Sequence, residues 1–125
     1  MTYRNFITIA SIVAFLFGLG FMLMPGQLVR FYNVELNAGG LLVGQLLGAS
    51  LLGFGFLNWF GKDLSESQAK QAILTANLAA DTFGFIFSLI AQLGGVPGAN
   101  ALGWSTVLLY LVFALAFAYL RFMQK

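Results

Sequence analysis

Residues 72–93 read AILTANLAADTFGFIFSLIAQL, a run long enough to cross a bilayer that carries one acid, Asp81, deep inside it. At ~1.5 Å per residue, Asp81 lies ~13.5 Å from Ala72, near the middle of a ~30 Å hydrocarbon layer. Projected at about 100° per residue, Asn77, Asp81, Gly84, Ser88 and Gln92 share a sector of about 80°. One stripe thus holds nearly all the strong polarity of this helix. Lipid cannot satisfy such groups, so the stripe is expected to face other helices or a water-filled cavity. Ala72, Ala76, Ala80, Gly84 and Ser88 form a second ribbon at four-residue spacing that merges with the first. Small residues spaced this way let helices approach closely.

Composition sets the class around this segment. Of the 125 residues, 60% are apolar or aromatic and only 8% are charged. Ten charged side chains could not keep that much apolar surface soluble in water. The expected fold is all-α: one domain over 1–125, with four transmembrane helices in an up-down bundle and a short interfacial segment between the first two. The spans fall at about 6–24, 41–60, 72–93 and 101–122. The first is read as a retained anchor, because its apolar run is longer than a signal peptide's and no A-x-A site follows.

The chain has no histidine or cysteine, which excludes imidazole- or thiolate-ligated metals and disulfides at its own positions. No nucleophile–base pair appears, so neither an enzyme nor a cofactor is expected. The basic residues sit at span ends and form no patch, which argues against nucleic acid. With four spans, Arg4, Lys62, Lys70, Arg121 and Lys125 share one side and Arg30 stands alone on the other. The positive-inside rule then places both termini in the cytoplasm of a multi-pass protein of the bacterial inner membrane.

In the second span Gly40, Gly44, Gly48 and Gly55 project onto one face. Glycine costs a helix ~1 kcal/mol against alanine in water. A whole face of it therefore points to close packing of a partner helix, as do Ala76, Ala80 and Gly84 in the third span. Pro25-Gly26 closes the first span, and QLVRFYNVELNAGG after it suits a short amphipathic helix in the headgroup region. Ser65 with Gln68 reads as a capping box opening the third helix, and GGVPGAN as a tight turn before the fourth. Counting depth from the span ends puts Ser50, Asp81 and Tyr110 at one level of the bilayer.

An aspartate at a helix centre costs ~2.5–3.5 kcal/mol on insertion scales, and no Lys or Arg occurs within a span to pair with it. Asp81 is therefore expected to sit as the neutral acid, with Asn77, Tyr110 and Ser50 as hydrogen-bonding candidates and Ser88 and Gln92 further along its stripe. Three roles follow. Asp81 ties helices together through hydrogen bonds, or couples a proton or ion in a small transporter. Alternatively, the stripe holds the head group of a lipid, quinone or pigment, or contacts a larger complex. The role expected of the chain is that of a structural or accessory component of a membrane assembly, as a homo-oligomer or a subunit of a larger complex.

A Phe/Leu-rich span closing in Met24-Pro25-Gly26, a basic-aromatic connection and then GGLLVGQLLGASLLGFGFLNW resemble uncharacterised bacterial four-span membrane proteins, a domain of unknown function. The resemblance covers mainly residues 6–60. It implies the four-helix architecture and carries over no functional residue. Small multidrug exporters differ in placing an acid in the first span. Dual-topology fluoride channels differ in their balanced positive charge.

Overall fold

A computed structural model describes residues 1–95 and 100–124. Among them all regular structure is helical: α1 (Tyr3–Leu23), α2 (Pro25–Arg30), α3 (Ala38–Gly61), α4 (Gln68–Ile90) and α5 (Gly103–Ala118). A five-residue π turn continues α4 over Ala91–Gly95, and another continues α5 over Tyr119–Met123. Four helices are long and apolar enough to cross a membrane: Tyr3–Leu23, Ala38–Gly61, Gln68–Gly94 and Gly103–Met123. All but the last start earlier than hydropathy predicts, because backbone hydrogen bonding continues past the apolar run into the headgroup region. The turn expected over GGVPGAN lies largely outside the described residues, as does Lys125.

The chain divides into two compact units, Tyr3–Lys62 and Asp63–Lys125. Each is a helical hairpin with its own seam, α1 against α3 and α4 against α5.

In the first hairpin α1 presents large side chains and α3 presents glycine. Phe6, Ile7 and Ala10 are buried on α1; Gly44, Gly48, Gly55 and Gly61 are buried on α3. At Gly48 the two backbones nearly touch. A Cβ there would fall 2.6 Å from the Met22 amide nitrogen and 2.7 Å from the Gly18 carbonyl oxygen. Gly18 answers from α1, where a Cβ would meet the Leu52 nitrogen at 2.9 Å. Gly44 takes Pro25 and Gly55 takes the Phe15 ring, whereas Gly40 lies against Leu36 and Asn37 of its own capping turn. The Tyr3 hydroxyl donates to the Gly61 carbonyl at 2.9 Å and fastens the open end.

The connection is compact. Pro25 starts α2, where its missing N–H costs nothing. Asn33 ends the turn in the left-handed region at φ 60°, a conformation asparagine tolerates, and lets the Val34 amide donate back to Val29. Asn37 then caps α3 by accepting from the Gly40 amide at 2.8 Å. The interfacial helix is therefore six residues, shorter than the segment suggested.

The second hairpin buries Ile73, Leu74 and Asn77 of α4 with Val107 and Phe117 of α5 and Leu120 of the π turn that follows it. Its N-cap corrects the expected capping box. Ser67, not Ser65, is extended and accepts from the Lys70 amide at 3.2 Å, which makes Gln68 the first helical residue. Glu66 accepts a hydrogen bond from Gln71 instead, and that bond holds its carboxyl below the usual range.

Backbone contact at Gly48 leaves no slack. Gly48→Val should destabilise the first hairpin by about 1–3 kcal/mol, the usual cost of overpacking, in a denaturation series in mixed micelles. Gly53→Ala, where a Cβ meets nothing within 4 Å, should be neutral or stabilising.

Candidate functional site

The polar stripe of α4 is not uniform. Asn77, near its start, is buried and donates from Nδ2 to the Ile73 carbonyl at 2.9 Å, one turn back. Ser88 does the same to the Phe85 carbonyl at 3.2 Å. Gln92 closes the hairpin: its Nε2 donates to the Asn100 carbonyl at 3.0 Å, and its carboxamide oxygen packs directly on Gly103. Each of these three side chains thus has a hydrogen bond inside the second hairpin, which hydrocarbon would not supply.

Asp81 differs. It is half-buried, and no hydrogen bond or ion pair joins its carboxyl to another described residue. One turn further on, the Tyr110 ring lies across the bare backbone of Gly84. A Cβ at Gly84 would come within 2.7 Å of the ring's Cζ and closer still to Cε1. Tyr110 is thereby held within electrostatic range of Asp81. Glycine at 84 thus makes the notch that seats the phenol one turn along α4 from the carboxyl. The contacts Gly84–Tyr110 and Gln92–Gly103 share one antiparallel register, which sets the small residue Ala114 level with Asp81. Ser50 belongs to the first hairpin, where its hydroxyl donates to the Leu46 carbonyl at 3.1 Å.

The alanine ribbon has a distinct environment. Ala76 and Ala80 are exposed, and Gly84 is half-buried under Tyr110. Ala80 precedes Asp81 on the wheel by about 100°, so an uncovered small-residue surface adjoins the unpartnered carboxyl.

Sequence reasoning missed a polar chain on the opposite face of α4. Arg121 donates from Nε to Thr75 Oγ1 at 3.0 Å, and Thr75 donates to the Gln71 carbonyl at 2.8 Å. Gln71 donates to Glu66, which pairs with Lys70 at 3.5 Å. This chain links the end of the fourth span to the start of the third. Its signal was the four-residue step from Gln71 to Thr75, which gains meaning only once the register places Arg121 beside it.

An all-helical chain with four membrane-length apolar helices and a carboxyl in mid-span defines a polytopic membrane protein. It matches no protein-family model, no curated protein and no solved structure.

Gly84→Ala should push the Tyr110 ring aside and cost the second hairpin about 1–3 kcal/mol. Adding Tyr110→Leu should return most of that loss. Unfolding titrations of the single and double variants in mixed micelles measure the coupling.

Proposed function

We infer that this chain is a small integral protein of the bacterial inner membrane with a structural or accessory role in a membrane assembly, either as a homo-oligomer or as a subunit of a larger complex. One observation carries this: a mid-span carboxyl with no hydrogen-bonding partner among the described residues, beside an exposed ribbon of Ala76 and Ala80. Leaving such a group in hydrocarbon costs a few kcal/mol, whereas a docked helix supplies a partner, and small residues let it come close. The glycine face of α3 and the Gly84 notch support tight packing within each hairpin; the alanine ribbon supports packing beyond them. Charge asymmetry supports cytoplasmic termini. The role is non-enzymatic, and the bilayer is its constant partner.

A second reading rests on Asp81 itself, since an acid in mid-span is the kind of group that carries protons or ions through a membrane. In that case the protein is a small proton- or ion-coupled transporter. The polar stripe as a binding site for lipid, quinone or pigment draws no comparable support, because Asn77, Ser88 and Gln92 hydrogen-bond inside the hairpin.

The readings separate on Asp81. Purified in mild detergent and weighed by light scattering, the wild-type chain should be larger than a monomer or carry a partner. Asp81→Asn, which keeps hydrogen-bonding capacity, should retain that mass. Asp81→Leu should weaken association about 5- to 30-fold, the value of ~1–2 kcal/mol of interhelical hydrogen bonding. A bare monomer in all three contradicts the assembly role. Loss of proton flux in Asp81→Asn liposomes at unchanged mass supports the transporter.

A further inference from the structure

The first hairpin carries an aromatic groove that the packing of α1 on α3 does not use. Phe15 of α1 and Phe56, Trp59 and Phe60 of α3 line a depression of about 360 Å³. Phe15 meets Phe56 edge-on at 5.0 Å between ring centroids, and Phe56 stacks with Phe60 at 6.5 Å. The Phe15 ring is seated on Gly55, so the floor is fixed by a glycine with no room for a side chain. Phe56 and Phe60 remain 54% and 77% exposed, so the groove is open on its outer side.

Its outer end is capped by a cation. Lys62 Nζ lies 4.1 Å from the centre of the Trp59 ring and donates to the Trp59 carbonyl at 3.2 Å. These contacts fold the side chain back over the groove instead of letting it extend into water. At ~1.5 Å per residue, Trp59 and Phe56 lie ~4.5 and ~9 Å inward from Lys62 along α3, the depth of the glycerol and upper acyl region when Lys62 marks the headgroup plane.

We propose that this groove is a binding site for an anionic phospholipid, with an acyl chain lying along Phe15, Phe56 and Phe60 and the phosphate held at Lys62. An apolar channel that opens at a fixed ammonium matches the two ends of that molecule. A zwitterionic lipid carries its own cation and gains less from the lysine. The site is built from the first hairpin and Asp81 belongs to the second, so the two proposals are tested independently.

The chain contains two tryptophans, so Trp104→Phe leaves Trp59 as the sole indole, inside the site. Vesicles are prepared with bromine-labelled phosphatidylglycerol or phosphatidylcholine at equal mole fractions, and quenching of Trp59 gives the relative association of the two lipids. The expected preference for phosphatidylglycerol is about five-fold at low salt, the effect of one lysine at an anionic surface, and it should fall as salt rises. Adding Lys62→Gln should bring the ratio to about one, and Lys62→Arg should preserve it. Native mass spectrometry of the unaltered chain, which needs no Trp104 change, should show the same ordering of lipid adducts. Equal quenching by the two lipids, or a preference indifferent to Lys62→Gln, would overturn the site.

Discussion

Hydrocarbon offers no hydrogen bonds, and that fact governs the polar side chains of the four long helices. Most answer locally. Thr8 donates to Arg4, Ser11 to Thr8, Ser50 to Leu46, Asn77 to Ile73 and Ser88 to Phe85, each using a carbonyl three or four residues back. Such bonds cost the helix little. Gln92 reaches further, to Asn100, and in doing so shapes the hairpin end. Asp81 alone among the stripe residues finds no such bond, and the proposed role follows from that exception.

The two hairpins solve packing in different ways. In the first, glycine on α3 removes side chains so that backbones meet at Gly18 and Gly48, and large residues of α1 fill the remainder. In the second, one glycine admits one ring: Tyr110 lies over Gly84 while Leu74, Phe117 and Leu120 make the apolar core. A third or less of the most apolar stretch of each span is buried within the chain. Within each hairpin, therefore, most of the apolar surface of the spans is left for other helices or lipid to cover.

How much could be read from residues alone differs with the range of the interaction. The four long helices follow from hydropathy, since nothing else accommodates a chain so apolar. Their ends shift by several residues because a cap is chosen by backbone angles. Ser65 and Ser67 look equivalent as letters, yet Ser67 is the extended one. Depth counting put Tyr110 level with Asp81; the helix register instead sets it beside Gly84, one turn along, with Ala114 opposite Asp81. Ser50 met the same count and belongs to the first hairpin; depth alone says nothing about which helices adjoin. The bond between Arg121 and Thr75 joins residues 46 apart and depends on a register that no local pattern encodes. The exposure of Ala76 and Ala80 was equally hidden, since a small-residue spacing announces close packing without saying whose helix supplies it.

The most direct measurement uses the surface beside the carboxyl. A photo-reactive amino acid placed at Ala80 and activated in native membranes reports what covers that position. A helix docked over Asp81 predicts a discrete protein adduct, at twice the chain mass or at the mass of one partner. Adducts with lipid alone would show the carboxyl's flank turned to acyl chains and contradict the assembly role.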